Sequence, residues 1–272
     1  MECPHCQSSA TTERPEVTAR GYRRFRCRSC GRGFNERTGS VFNRVEYPPD
    51  VVCLVVLWRL RYKLSLRDLA EMFLDRGVVF THEAVREWEA KLAPQLSETL
   101  RQHRRGRIGQ SWYCDETYLK EKGRGVYLYR AIDRDGNLVD VFLSERQDQA
   151  AAEAFFRSAR TVSDMVPARV TTDGHGAYPG AIKTELGEDV AHRTNRYLNN
   201  YLEQDHRGIK QRTHSMGGFK SFVSAERFCR IYEEVRNFFR VRSRRNEAVS
   251  LAWQRALHVG RVRVLMATLG MA

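Results

Sequence analysis

The chain has 272 residues, 42% of them hydrophobic, which suffices for one sizeable core with one or two small modules and excludes an intrinsically disordered protein. Its formal net charge is +13 and its pI is near 9.7. This excess of positive charge predicts a polyanionic partner, with nucleic acid as the first candidate and an anionic membrane as the second.

Two CxxC pairs lie near the start of the chain, Cys3-Pro-His-Cys6 and Cys27-Arg-Ser-Cys30. Cysteine pairs at such a separation can close a tetrahedral thiolate site, with one pair at each end of a short β-ribbon. The spacing therefore predicts a structural zinc site formed by Cys3, Cys6, Cys27 and Cys30. A redox-active pair is the alternative, although no βαβ pattern surrounds either pair.

The cysteine count also bears on the cellular compartment. The total of seven is odd, and the three cysteines outside the pairs stand in apolar surroundings. No secretory signal precedes the first pair. These features favour metal-bound or packed thiols over disulfides and predict a cytoplasmic location.

Arginines are interleaved with aromatic residues between the two CxxC pairs. Arg23, Arg24 and Arg26 lie beside Tyr22 and Phe25. Guanidinium groups on a ribbon are suited to contact a phosphate backbone, so these three arginines are candidate DNA-binding residues. The alternative is a ribbon whose charge serves solubility alone.

Three helices are predicted next. An almost wholly apolar helix runs from Val51 to Tyr62 and is too short to span a bilayer. Two shorter helices, each opened by a hydroxyl N-cap, surround a tight connection at Gly77. This is the outline of a helix-turn-helix, with a generic three-helix bundle as the alternative. Three side chains of its second helix are candidates for DNA contact: His82, Arg86 and Lys91.

The arginine-rich residues 101–110 predict a basic linker. Beyond them, short runs rich in aromatic and β-branched residues predict three antiparallel strands, and Arg134-Asp-Gly-Asn137 marks a hairpin. The order β-β-β-α-β-α-β-α then resembles the ribonuclease H-like α/β fold, a mixed sheet flanked by helices in which the first and fourth strands are central neighbours.

The sequence thus predicts five segments. They are a zinc ribbon at 1–45, a helix-turn-helix module at 46–100, a basic linker at 101–110, a ribonuclease H-like catalytic domain at 111–242 and a C-terminal helical tail at 243–272.

Two aspartates occupy places where a carboxylate is unusual. Asp115 lies in a strongly hydrophobic strand, where an inward carboxylate is costly unless a cation meets it. Asp173 follows a short β-run and precedes Gly174, so it lies where a strand ends and the backbone turns. If the two strands are neighbours, the two aspartates lie close together.

A third acid comes from a helix predicted to start at Asn199 or Asn200. Glu203, Arg207 and Lys210 recur on one face of this helix, so an acid and two bases lie together. Glu203 is equally placed to complete a capping box with Asn200, and the two interpretations are compatible.

Three converging carboxylates repel one another unless divalent cations neutralise them, and oxygen ligands favour Mg²⁺ or Mn²⁺ over zinc. Asp115, Asp173 and Glu203 are therefore candidate ligands of a two-metal site for phosphoryl transfer. Lys210, and Arg207 before it, would then hold a DNA phosphate.

The motifs resemble those of the DDE transposases of insertion sequence family six. The resemblance rests on Asp115-Glu-Thr-Tyr-Leu-Lys, Tyr127-Leu-Tyr-Arg-Ala-Ile-Asp133, Thr172-Asp-Gly174 and Gly218-Phe-Lys-Ser-Phe222, and above all on Glu203-Gln-Asp-His-Arg. Asp115, Asp173 and Glu203 match the catalytic triad of the family, and Lys210 matches the lysine that follows its glutamate.

The resemblance implies a function. A transposase of this family nicks and transfers the 3′ ends of an insertion sequence, recognises terminal inverted repeats through its helix-turn-helix, and acts in replicative, cointegrate-forming transposition. The expected partners are double-stranded DNA, at the repeats and the target, and a second copy of the chain at least. No membrane partner is expected, and the location is cytoplasmic and nucleoid-associated.

Two departures from the family keep alternatives open. The zinc ribbon is an extension, and the interval from Asp173 to Glu203 is shorter than the family pattern. A domesticated or inactive transposase that binds DNA without moving it is one alternative. A ribonuclease H-like nuclease or resolvase is another.

Overall fold

A computed structural model describes residues 1–104, 106–195, 200–241 and 249–268, with the backbone alone at residues 200, 201 and 204. The chain forms two compact units, Met1–Val52 and Cys53–Ala272. The five-segment division above stays a prediction.

The first unit contains a three-stranded antiparallel sheet of order β1-β2-β3. Its strands are β1 (Thr11–Val17), β2 (Arg23–Cys27) and β3 (Gly33–Asn35). A small buried cluster of Cys3, Phe25, Cys27 and Phe34 packs on this sheet, with the two phenylalanine rings stacked at 5.4 Å. The predicted β-ribbon is therefore present.

Three helices follow: α1 (Pro49–Arg61), α2 (Leu66–Leu74) and α3 (His82–Arg104). A capping box starts α2, because the Asp68 backbone N–H donates to the Ser65 hydroxyl at 3.1 Å and the Ser65 N–H donates to Asp68 Oδ2 at 2.7 Å. Gly77, at φ +69°, allows the chain to turn after α2.

These helices pack through aromatic rings and one buried ion pair. The Phe73 ring contacts Trp58 and Phe80, at centroid distances of 5.6 and 5.4 Å. Arg59 Nε lies 3.2 Å from Glu89 Oε2, and both side chains are buried. The inward residues predicted for α3 are buried as expected: Val85, Trp88 and Leu92.

The prediction of a linker that starts at residue 101 is wrong at its N-terminal end. Helix α3 continues through Arg101 and Arg104. Arg104 is buried and pairs with Glu234, and Arg101 pairs with Glu234 and Asp140. These arginines are helical because buried carboxylates, far away in sequence, neutralise them.

The second unit contains a five-stranded mixed sheet of order β6-β5-β4-β7-β8. The strands are β4 (Ser111–Glu121), β5 (Arg124–Asp133), β6 (Leu138–Ser144), β7 (Arg169–Thr172) and β8 (Ala191–Thr194). The first three are antiparallel, and β7 pairs in parallel with both β4 and β8. The ribonuclease H-like α/β fold is confirmed, with its first and fourth strands as central neighbours.

Helices cover both faces of this sheet. On one face, α4 (Gln149–Ser163) and α5 (Ala177–Leu186) enclose a core that includes Trp112, Tyr129, Phe155, Phe156 and Tyr178. On the other lie α6 (Asn200–Ser215) and α7 (Phe222–Phe239), which pack on β4 and β6. Helix α8 (Leu251–Thr268) follows. None of the helices in the described parts of the chain has the length and apolar character needed to span a bilayer.

Candidate active site

Asp115 lies within β4, on the sheet face that α6 covers. The neighbouring Trp112 and Cys114 point into the core on the opposite face. In the β4–β5 register Asp115 stands directly opposite Arg130, so the two side chains share a face. The Asp115 side chain is only 17% exposed, which makes it a largely buried acid between sheet and helix.

Asp173 lies next to Asp115 at the end of β7. The parallel β4–β7 register pairs Tyr113 with Thr171, and two further residues along each chain lead to Asp115 and Asp173. The Asp173 carboxylate is exposed, and its Oδ1 accepts the backbone N–H of His175 at 3.0 Å. The predicted adjacency of the two strands therefore brings these aspartates together.

Glu203 stands in the first turn of α6 and is exposed. Arg207 and Lys210 follow on the same helical face, and both are exposed as well. The predicted cap residue Asn199 lies outside the described residues, and Asn200 is the first residue of the helix. Helix α6 thus presents the predicted acid and its two bases beside β4.

The charge around Asp115 is strongly negative. Burial, together with the nearby charges of Glu116, Asp173 and Glu203, raises the pKa of Asp115 to about 7. One hydrogen bond, from the Glu116 backbone N–H at 3.0 Å, acts in the opposite direction. A bound cation would relieve both the desolvation and the repulsion.

The donor set at this place consists of carboxylate oxygens, which suit a hard divalent cation such as Mg²⁺ or Mn²⁺. Among the described residues, only the four cysteines form a group whose ligand atoms all lie within 4.8 Å of one another. The oxygens of Asp115, Asp173 and Glu203 are farther apart than that.

Glu116 is not one of these candidate metal ligands, although it is next to Asp115 in the sequence. Its Oε2 accepts the Tyr178 hydroxyl, and its Oε1 accepts Gln147 Nε2 at 2.7 Å. These partners belong to the opposite side of the sheet, as the alternation of a strand requires.

His206 is a neighbour of Asp115 that is absent from the predicted site residues. Its Nδ1 lies 3.9 Å from Asp115 Oδ2, and the side chain is 9% exposed. Burial, and then the charges of Arg130 and Lys210, lower the pKa of His206 to about 3. The imidazole is therefore neutral at ordinary pH and leaves the Asp115 carboxylate uncompensated.

Asp205 belongs to a buried ion network that sequence reasoning also missed. Arg130 Nη2 lies 2.9 Å from Asp205 Oδ2, and Arg236 Nη2 lies 2.5 Å from Asp205 Oδ1. Arg130 Nη1 additionally lies 2.5 Å from Glu233 Oε2. The available signal was Arg130 itself, a charged residue between apolar neighbours in the buried half of β5, where it requires acids as partners.

The four predicted zinc ligands do come together. The Sγ atoms of Cys3 and Cys30 are 3.7 Å apart, and those of Cys6 and Cys27 are 3.5 Å apart. A tetrahedron with Zn–S bonds of about 2.3 Å has edges of about 3.8 Å, so these distances suit zinc. In the metal-free cluster the backbone N–H of Cys30 lowers the pKa of Cys27 to about 6, whereas the pKa of Cys6, against a hydrogen bond from the Ser8 backbone, is raised to about 12 by contact with Cys27 and by burial. The support for zinc is therefore the geometry of the four sulfur atoms.

The ribbon arginines lie on two different faces. Arg24 and Arg26 alternate with the buried Phe25 and point outward. Arg23 lies on the same side as Phe25, and its Nε is 2.6 Å from Glu36 Oε1. Arg24 and Arg26 thus lie on the face opposite Phe25. The charge of Arg23 is already neutralised by Glu36.

The outward face of the ribbon is concave and basic. Arg14 of β1 stands directly opposite Arg24, a like-charge arrangement that destabilises a sheet unless an anion compensates it. The two arginines and Arg26 line a cavity of 460 Å³ whose wall also includes Gly33. This surface has the charge and shape to accept an anion.

The predicted helix-turn-helix contacts differ in availability. His82 Nε2 and Arg86 Nη1 lie 3.2 and 2.7 Å from the Glu83 carboxylate. Lys91 is exposed, and no ion pair involves it among the described residues. Lys91 is the freest of the three candidates.

The family model and the relatives that match this chain agree with each other. The family model DDE_Tnp_IS240, described as a DDE domain, matches residues 109–242. Two Staphylococcus aureus proteins, the transposase for insertion sequence-like element IS431mec (strain N315) and the transposase for element IS257 in transposon Tn4003, are each 37% identical over 178 residues, covering 64% of this chain and 78% of their own length.

A solved structure is also similar. In the simian T-cell lymphotropic virus intasome, in complex with PP2A regulatory subunit B56 gamma, a chain is 16% identical at a TM-score of 0.39, covering 57% of this chain and 56% of that one.

Proposed function

This chain belongs to the DDE transposases of insertion sequence family six, and we propose that Asp115, Asp173 and Glu203 hold the divalent cations with which it acts. It is a polynucleotidyl transferase that cleaves DNA and transfers a strand during transposition. Cores of this type use divalent metal ions. The observation that supports the residue assignment is the parallel β4–β7 register, which brings Asp115 beside Asp173, with Glu203 on the helix that packs on β4.

The proposed ions are Mg²⁺ or Mn²⁺. When bound, such a pair activates the attacking hydroxyl and stabilises the leaving 3′ oxygen of an in-line phosphoryl transfer. Asp115 supplies a largely desolvated carboxylate, whose attraction for a cation is strong at low local dielectric. The more exposed Asp173 and Glu203 complete the donor set from a strand end and from a helix.

The proposed reaction has two stages on one site. Water first attacks the phosphodiester at the 3′ end of the element and displaces the 3′ oxygen of the element, which leaves as a free 3′ hydroxyl while the flanking strand keeps the phosphate. That hydroxyl then attacks a phosphodiester of the target DNA and displaces the 3′ oxygen of the target strand. No covalent bond to the protein forms. Lys210 and Arg207, exposed on the Glu203 face of α6, hold the DNA phosphates close to the carboxylates.

Recognition of the terminal inverted repeats is assigned to the helix-turn-helix. Its candidate contacts are His82, Arg86 and Lys91, of which Lys91 is the freest. Glu83 must release His82 and Arg86 before these side chains contact DNA, so their contribution is smaller than that of an unpaired base.

The ribbon is proposed to bind one zinc ion and the DNA backbone. The support for zinc is the spacing of the four sulfur atoms, and the support for DNA is the outward arginine face. Arg24 and Arg26 carry this contact, and Arg14 joins them. Arg23 contributes less because Glu36 already neutralises it.

The remaining proposals follow from the reaction. Two ends of an element must be joined to a target together, so at least two copies of the chain act in one complex on double-stranded DNA. The place of action is the DNA of the nucleoid in the cytoplasm.

Strand transfer with the terminal repeats of the element tests the assignment. Wild type is expected to nick and transfer these ends in Mg²⁺ and not in EDTA. Asp115→Asn, Asp173→Asn and Glu203→Gln should each abolish both steps while repeat binding in EDTA persists.

The outcomes separate the candidate functions. Normal strand transfer by Asp115→Asn in Mg²⁺ would overturn the metal assignment. Repeat binding by wild type without any metal-dependent nicking would favour the inactive, DNA-binding alternative. Cleavage of a four-way junction in preference to the terminal repeat would favour a resolvase.

A further inference from the structure

Arg130 occupies the position from which an arginine would ordinarily pair with Asp115. The two residues are directly opposite in the antiparallel β4–β5 register, where Cβ atoms lie about 4.5–5.5 Å apart. An arginine at this distance would form an ion pair and occupy the carboxylate. A metal ion would then have to compete with a guanidinium fixed to the same sheet.

The guanidinium is directed elsewhere. Its Nη2 is 2.9 Å from Asp205 Oδ2 and its Nη1 is 2.5 Å from Glu233 Oε2, whereas no ion pair joins it to Asp115 in the described structure. The side chains of Asp205 and Glu233 are 3% and 0% exposed. Asp205 on α6 and Glu233 on α7, the two helices that cover this face of the sheet, thus hold the buried guanidinium of Arg130.

We propose that Asp205 and Glu233 are positioning residues that hold Arg130 away from Asp115 and so keep the Asp115 carboxylate available to a divalent cation. Loss of either acid leaves a buried guanidinium with half of its partners, a costly state in a low-dielectric site. The carboxylate directly across the strand pair is the nearest replacement. The inference rests on the proposed metal site and adds the residues that prevent its obstruction.

Binding of Mn²⁺ to the full-length, DNA-free protein tests the proposal, with free Mn²⁺ measured by electron paramagnetic resonance. Glu233→Gln is expected to raise the dissociation constant for Mn²⁺ about tenfold, because an Arg130–Asp115 ion pair would compete with the metal ion for the carboxylate. Arg130→Gln in the Glu233→Gln background should recover wild-type affinity within about twofold, since it removes the competing cation.

Glu234→Gln is the matched control. Glu234 is the next residue of α7, is equally buried and pairs with Arg101 and Arg104 instead of Arg130. Its substitution should cost comparable stability, measured by thermal unfolding, but should change Mn²⁺ affinity less than about twofold. Asp205→Asn, with and without Arg130→Gln, provides a second series should Glu233→Gln fail to fold.

A crystal structure of metal-free Glu233→Gln gives a readout that needs no metal. The Arg130 guanidinium is expected within 4 Å of the Asp115 carboxylate, the usual limit of an ion pair. Folded Glu233→Gln with wild-type Mn²⁺ affinity, or a loss that Arg130→Gln does not restore, would overturn the proposal. Wild-type Mn²⁺ binding that Asp115→Asn leaves unchanged would instead overturn the metal site proposed above, and the inference with it.

Discussion

Arg104 on α3 and Glu234 on α7 form a buried, two-pronged ion pair. Arg104 Nε donates to Glu234 Oε2 at 2.9 Å, and its Nη2 donates to Oε1 at 2.8 Å. Arg101, one turn earlier, adds a contact to the same carboxylate at 3.2 Å. The end of the DNA-recognition helix predicted from sequence is therefore anchored to a helix of the catalytic fold.

The first prediction concerns the stability that this anchor supplies. Glu234→Gln leaves Arg104 buried without its counter-charge, which costs roughly 3–5 kcal/mol of unfolding free energy. Urea denaturation followed by circular dichroism measures the loss.

The control for the anchor is Glu98→Gln on α3, the helix that carries Arg104. Glu98 is exposed and, within the described parts of the chain, accepts a hydrogen bond from Gln102 at 3.1 Å and forms no ion pair, so its substitution should change the unfolding free energy by less than about 0.5 kcal/mol. Equal losses of unfolding free energy in Glu98→Gln and Glu234→Gln would mean that the buried ion pair stabilises the fold no more than an exposed hydrogen bond does.

The buried ion pairs of Arg101 and Arg104 explain why the predicted start of the linker at residue 101 is wrong. A run of arginines at 101–107 has the composition of a solvated linker, and the acids that bury two of them are in β6 and α7. Local sequence carries no sign of partners that lie 39 to 133 residues away. The strands were predictable because alternation and β-branched composition are local properties.

The candidate site divides in a similar way. Asp115, Asp173 and Glu203 could be identified because strand order alone brings the first two together and a helical pattern exposes the third. The ion network of Asp205 could not, since it depends on Arg130, which only the packing of α6 on the sheet brings near.

The second prediction is a pH dependence in metal-free protein. The pKa of Asp115 is raised from 3.8 to about 7, so between these pH values the folded state holds a proton that the unfolded state has lost. Stability therefore falls as pH rises across this window. Asp115→Asn removes the effect and should melt several degrees above wild type at pH 8, but together with it near pH 4.

Addition of Mg²⁺ supplies the control for the pH experiment. At pH 8 a bound cation should stabilise wild type and leave Asp115→Asn unchanged, because ligand binding to the folded state raises its stability. A constant melting difference between the two proteins from pH 4 to pH 8 would rule out a titration of Asp115 in this range.

The third prediction concerns zinc. The buried cluster beside the four cysteines consists of two cysteines and two phenylalanines, which is too little apolar material to hold the ribbon together without a metal. Purified protein should contain one zinc per chain by atomic absorption. A chelator, or Cys27→Ser, should abolish the ordered signals of the ribbon in NMR spectra, while Cys229→Ser, a buried cysteine of α7, should keep the zinc.

The fourth prediction separates the two faces of the ribbon. Arg24→Ala should weaken DNA binding for all sequences alike and reduce the slope of log K against log salt by about 0.9, one phosphate contact. Arg23→Ala should change the slope far less, because Glu36 already neutralises Arg23. Fluorescence anisotropy between 50 and 200 mM salt compares them, and equal slopes for the two variants would place the contact elsewhere.

The fifth prediction tests the turn that carries Asp173. Gly174 has φ +100°, and a Cβ there would meet Thr194 Cγ2 at 2.7 Å, so Gly174→Ala combines backbone strain with a clash and must displace Asp173. Gly187, at φ +106° with nothing within 4 Å of its Cβ position, is the matched control for strain alone.

Both alanine variants should lose about 1–2 kcal/mol of unfolding free energy from strain, and Gly174→Ala should lose somewhat more. Only Gly174→Ala should lose nicking activity in Mg²⁺ at a temperature where both are folded; equal activity of the two would show that the position of Asp173 does not matter.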